Sequence, residues 1–88
     1  MKTIYKYKLD DVGEKTIQMP ENAVFLSVQV QHGEIGMWFM VDTGNADVSR
    51  QFSIVGTGWE LPNYPTQYLG TVQKDEGLLV WHIFELTP

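Results

Sequence analysis

From Ala23 to Asp42 the chain reads as two apolar runs, AVFLSVQV and IGMWFMVD, with Gln31-His32-Gly33-Glu34 around their junction. Side chains alternate with a period of two along a strand. Ile35, Met37, Phe39 and Val41 therefore share one face of the second run, and Val24, Leu26, Val28 and Val30 share one face of the first. His32-Gly33 supplies a pair that tolerates positive φ, as a two-residue hairpin loop requires. The prediction is a long antiparallel hairpin with one apolar face, extended or covered by the remaining segments. Trp38 and Met40 fall on the opposite side of the second run, as a second layer or an oligomer surface.

The same period recurs on both sides of the hairpin. Thr3, Tyr5, Tyr7 and Leu9 alternate with Lys2, Ile4, Lys6 and Lys8, giving a strand whose wet side carries lysines of the kind that protect an exposed edge. A turn follows at 10–13, and residues 15–19 form a short strand closed by Pro20. From 48 to 55, Val48, Phe52 and Ile54 point inward while Ser49, Gln51 and Ser53 point outward. Arg50 falls in phase with the apolar side, so it sits at a frayed strand start or faces a cavity. Residues 67–73 form a strand with Tyr68, Gly70 and Val72 on one side, and 74–77 form a turn. Residues 78–84 form a strand apolar on both faces, as central or interface strands are. No run of ten residues combines helical periodicity with a good cap, and at most one helical turn is expected near 61–67. The fold class is all-β: a small antiparallel sandwich or barrel of about six to seven strands with little or no helix, built as a single domain over residues 1–88.

Composition narrows the function classes. A core made from 88 residues is small, so self-association would add apolar burial and a homo-oligomer is expected. The chain has no cysteine and only two histidines, His32 and His82; no metal site and no cofactor is expected. Its start, MKTIYKYKLDD, lacks the apolar run of a signal peptide. No window approaches the roughly eighteen apolar residues of a membrane span, so a soluble, cytoplasmic protein is expected. The net charge of −5 is uneven: residues 1–15 carry four lysines against three acids, and the rest carries Arg50 and Lys74 against eight acids. Duplex nucleic acid is held chiefly by neutralising phosphates, so generic nucleic-acid binding is disfavoured.

Candidate chemistry is sparse. Asp42-Thr43-Gly44 matches the aspartic-protease signature, but that chemistry needs two carboxylates sharing a proton, and one copy in a polar loop reads as turn chemistry. Gly56-Thr57-Gly58 is the best local candidate for a ligand contact, because glycines admit close backbone approach and successive amides can cradle an anion. A bulge or a tight strand exit explains the same residues. Trp59, Tyr64 and Tyr68 follow within ten residues, as stacking rings for a base or as a minicore that pins the loop. His82 lies in phase with Leu78, Val80 and Phe84. A histidine there is more often a satisfied core or rim residue than a base, and Glu85 is too close along the strand to be presumed its partner. No enzyme signature emerges.

MKTIYKYKLDD, LSVQVQHGE, VGTG, YLGTVQ and LVWHIFE, in this order over nearly the whole chain, resemble a group of short phage and prophage proteins known only as a domain of unknown function. That group typically reads VGTG-His-Pro where this chain has VGTG followed by Trp59-Glu60, so no shared role is carried over to Trp59. The resemblance implies a phage or prophage origin, action in the host cytoplasm and a counter-defence role. The leading expectation is a non-enzymatic oligomeric β-protein that sequesters a nucleotide-derived immune signal. Gly56, Thr57 and Gly58 would supply backbone contacts, Trp59 and Tyr64 stacking, and Arg50 or His82 the charge opposite the ligand. The alternatives are a protein-protein inhibitor or adaptor that acts on a host defence protein through Trp38, Met40 and the Trp59 loop, and a minor structural phage protein.

Overall fold

His32 and Gly33 take φ of 52° and 76° and return the chain so that Gln31 pairs with Glu34. The predicted hairpin forms around them. In the computed structural model, which describes residues 1–9, 12–61 and 66–87, the strands are β1 (Lys2–Leu9), β2 (Gly13–Pro20), β3 (Val24–Gln31), β4 (Glu34–Asp42), β5 (Asp47–Gly56), β6 (Thr66–Lys74) and β7 (Leu79–Leu86), with a single 3-10 turn at Asp75–Gly77 before β7. One sheet has the order β1-β4-β3 and the other β2-β5-β7-β6, and every neighbouring pair is antiparallel. The fold is all-β as the alternation predicts, and of the expected sandwich or barrel it is the sandwich. The doubly apolar β7 is central, between β5 and β6, which accounts for its two apolar faces. The turn expected at 10–13 and the helical turn expected near 61–67 fall largely outside the described residues.

Phe39 on β4 is the centre of the core. It is fully buried and meets Tyr7, Phe25 and Phe52 edge-on, with ring centroids 5.8, 5.5 and 6.0 Å away. Phe52 belongs to the opposite sheet, so this contact joins the two layers. Ile35, Met37 and Val41 are buried beside Phe39 as the β4 alternation predicts, and Leu9, Met19, Ile54 and Ile83 complete the seam.

Two predicted faces are wrong, each because of a β-bulge. On β3 the register shifts between Phe25 and Ser27: Phe25 pairs with Phe39, whereas Ser27 pairs with Trp38 and Val28 with Met37. The extra residue turns the phase, so Phe25, Val28 and Val30 face the core while Val24 and Leu26 are exposed. On β6 the shift lies between Tyr68 and Gly70, which puts Tyr68 outside while Gly70 and Val72 turn inward opposite Ile83 and Trp81. Tyr68, Gly70 and Val72 therefore do not share a face.

The bulged strands are edge strands, and they pack against each other where the two sheets meet. A Cβ on Gly70 would lie 2.6 Å from Cγ1 of Val28. Gly70→Ala is therefore expected to lower stability by about 1–3 kcal/mol through overpacking. Val28→Ala in the same chain should recover part of the loss by removing the opposing methyls. Urea unfolding of the three variants measures both effects, and a neutral Gly70→Ala would show that the seam has room.

Candidate functional site

The Gly56-Thr57-Gly58-Trp59 segment is a tight turn at the end of β5. The Trp59 N–H donates to the Gly56 carbonyl at 3.1 Å, and Gly58 takes φ of 87°. This turn folds the Trp59 ring back onto Gly56, where a Cβ would lie 2.8 Å from the indole Cε2. The glycine thus makes room for the chain's own tryptophan. The ring leans edge-on against Trp81, 5.5 Å between centroids, and stays half exposed. Around it an open cleft of about 380 Å³ is lined by Thr57, Leu78, Leu79, Val80 and the two tryptophans.

Thr57 and His82 do meet, on the outer face of the four-stranded sheet. Thr57 Oγ1 is 2.7 Å from His82 Nε2, Thr71 Oγ1 is 2.9 Å from His82 Nδ1, and the Tyr68 hydroxyl is 2.5 Å from Thr71 Oγ1. Because β6 pairs with β7 and β7 with β5, the VGTG, YLGTVQ and LVWHIFE blocks lie side by side, and this row of polar groups crosses them. Both imidazole nitrogens are held by hydroxyls, and among the described residues no carboxylate bonds to the ring. That arrangement fixes His82 in place but lacks the third member a base–nucleophile pair relies on. Glu85 is no partner for His82: it points to the other face of β7.

Arg50 stands apart from these residues. Its guanidinium holds Glu85 through Nε at 2.6 Å and Nη2 at 2.7 Å, donates from Nη1 to the Ala23 carbonyl at 2.6 Å, and lies 5.1 Å from the Phe39 ring centroid. The in-phase arginine thus faces the interior, and its charge is neutralised there. Tyr64 lies outside the described residues. The structure therefore brings together Gly56, Thr57, Gly58, Trp59 and His82, but over two faces: Trp59 and Trp81 belong to the end of the sandwich, Thr57 and His82 to the outside of one sheet. Trp38 and Met40 lie on the outer face of the other sheet, away from Trp59. Asp42 is a turn residue: its carboxylate accepts the Gly44 N–H at 3.0 Å. That bond first, and the amino terminus second, hold its pKa below the usual carboxylate value.

Sequence reasoning missed a second cavity. At the end of the sandwich where β1 and β6 finish and β4 starts, the sheets part around a space of about 390 Å³. Leu9 and Ile35 from one sheet and Ile54 and Trp81 from the other form its floor; Lys8, Glu34 and Lys74 form its rim. Lys8 Nζ is 3.0 Å from Glu34 Oε2. The hydrogen bond and charge of Lys8, with smaller contributions from Lys6 and Lys74, hold the Glu34 carboxyl below its usual pKa. Two cations and one anion thus ring an apolar floor that includes an indole. Lys8 and Lys74 are far apart in the chain, and only the pairing of strand ends puts them on one rim. The sole sequence signal was that both end strands beside polar turns.

Among the described residues no helix is long and apolar enough to cross a membrane, and no group of three or more His, Cys, Asp or Glu side chains converges as a metal site. The family described as Domain of unknown function (DUF7352) matches residues 1–88, and the chain belongs to it. Neither the curated proteins nor the solved structures contain a match.

Proposed function

We propose that this protein is a non-enzymatic binder of a small anionic ligand with a flat, partly apolar body, of the nucleotide-derived class, held at the open end of the sandwich. The observation that carries this reading is the rim of Lys8 and Lys74 above a floor containing Trp81. It answers the scarcity of cations in the sequence, since two of the chain's six basic residues converge on one cavity. The space of about 390 Å³ is near the lower end of small-molecule sites, which run from about 300 to 1,000 Å³. It suits a mononucleotide-sized ligand better than a dinucleotide. The resemblance to short phage and prophage proteins supports a narrower version: a phage-encoded sponge for a nucleotide-derived immune signal, acting in the host cytoplasm.

Thermal-shift and calorimetric titrations with cyclic mononucleotides, 5′-mononucleotides and ADP-ribose test the proposal. A true ligand at a hundredfold excess over its Kd adds about 2.7 kcal/mol of stability, a rise in Tm of roughly 10–20 °C for a domain this small. Lys74→Ala should weaken binding about fivefold, the ~1 kcal/mol of a good exposed ion pair. Glu34→Gln should tighten it by a similar factor, because it removes the one anion among the described rim residues. The proposal fails if no compound raises the Tm, or if binding is indifferent to both substitutions.

A further inference from the structure

The outer face of the three-stranded sheet carries a second feature, independent of the cavity. Ile4, Met40 and Val24 are cross-strand neighbours there, and they are 57%, 39% and 49% exposed. Leu26, turned outward beside the bulge, is 47% exposed, and the half-buried Trp38 adjoins it. Lys2 and Lys6 flank this apolar strip on β1; Lys6 Nζ sits 5.4 Å from the Trp38 ring centroid and donates to Gln31 Oε1. Among the described residues neither lysine makes a salt bridge. Asp42, the cross-strand neighbour of Lys2, is paired with the N-terminal amine at 3.3 Å, so Lys2 and Lys6 leave this apolar face locally cationic on a chain of net charge −5.

We infer that this face is a docking surface for an acidic amphipathic helix of another protein. Size and charge select that occupant. Three strands of about eight residues present a face roughly 14 Å by 26 Å, on the order of 400 Å². A stable interface between globular partners takes about 800 Å² from each side, so the face is too small for a folded domain or for a stable homodimer. One helix, about 10–12 Å across, covers it, and 26 Å corresponds to roughly 17 residues. Covering a sheet's apolar face with a helix is the ordinary way such a layer is completed. A second copy is disfavoured further because it offers the same lysines and no added carboxylates to answer them. An acidic helix instead brings its carboxylates to the β1 side and its apolar stripe onto Met40. An interface this small belongs to the weak, transient class.

The probe is a synthetic 18-residue peptide with leucines at helical i, i+3, i+4, i+7 spacing and glutamates flanking that stripe; the control has lysine for every glutamate. The intact protein should bind the acidic peptide weakly but saturably, with a gain of peptide helicity by circular dichroism, and should ignore the basic one. Met40→Asp should weaken binding at least tenfold, and Lys2→Glu with Lys6→Glu several-fold. Both variants alter exposed side chains, and their circular dichroism verifies the fold. Equal binding of the two peptides, no binding of the acidic one, or indifference to Met40→Asp overturns the inference. So does a homodimer that Met40→Asp converts to monomer, which makes a second copy the occupant, or Met40-dependent binding to vesicles of anionic phospholipid, which makes it a membrane surface.

Discussion

Arg50→Met is expected to destabilise the protein by about 3 kcal/mol, although Arg50 touches no candidate ligand site. Removing one member of a buried ion pair leaves the other charge without a partner, at a cost of about 3–5 kcal/mol. The side chains of Arg50 and Glu85 retain 22% and 11% exposure, which puts this pair at the lower end. Arg50→Met also strips the Ala23 carbonyl of its donor, and a buried acceptor left unsatisfied costs about 1–3 kcal/mol. Arg50→Lys should recover little, because an ammonium cannot reproduce the two-point grip on the carboxylate together with the bond to Ala23. The informative variant is Arg50→Met with Glu85→Leu. With both charges gone the desolvation penalty disappears, and only the orphaned Ala23 carbonyl remains. The double variant should therefore be more stable than either single one, by about 1–2 kcal/mol. Urea unfolding of the four proteins closes the cycle. A double variant no more stable than the singles would show that the pair is itself net stabilising.

That pair also marks how far the sequence could be read. Alternation placed all seven strands and both apolar faces of β7, Leu78 excepted, which stands exposed ahead of the strand; period-two burial is a local property that a half-buried sheet imposes on every strand. It also flagged Arg50 as an in-phase charge. Its partner was open to the same logic, since Glu85 falls in phase with Ile83 and Trp81. Two opposite charges inside two apolar stripes are a signal for cross-strand pairing. What could not be read was the register that sets them side by side. The faces of β3 and β6 were misassigned where each strand carries one extra residue; a bulge changes phase without any mark in composition, because Leu26 and Leu69 look like ordinary members of their runs. The rim of Lys8, Glu34 and Lys74 was hidden for a related reason: it is a property of strand ends brought together by topology. The glycine bend was the reverse case. The residues were found, but not the use the turn makes of Gly56: it is tight enough to fold the Trp59 indole onto that glycine.

Phe39→Ala is expected to cost about 3–5 kcal/mol, the usual range for emptying a buried aromatic position, and here it should fall toward the upper end. The ring is fully buried and bordered by three other rings and by the Arg50 guanidinium. These neighbours come from three strands, β1 and β3 of one sheet and β5 of the other, so none can collapse into the space without separating from its own strand. A small domain holds about 5–15 kcal/mol in total, so the loss would leave a large unfolded fraction near 37 °C. Phe39→Leu keeps most of the volume and gives up the edge-on contacts, worth about 0.5–1.5 kcal/mol for each aromatic pair. Its cost should therefore be about 1–3 kcal/mol, well short of that of Phe39→Ala. Thermal and urea unfolding of the two variants measure the difference. If Phe39→Ala cost under about 1.5 kcal/mol, the sheets would have to be held together elsewhere, and the corner where Val28 meets Gly70 would be the next place to look. If it costs what is expected while Met40→Asp, the next residue on the same strand but on its outer face, leaves stability nearly unchanged, then β4 divides its work by face: Phe39 holds the layers together, and Met40 is free for a partner.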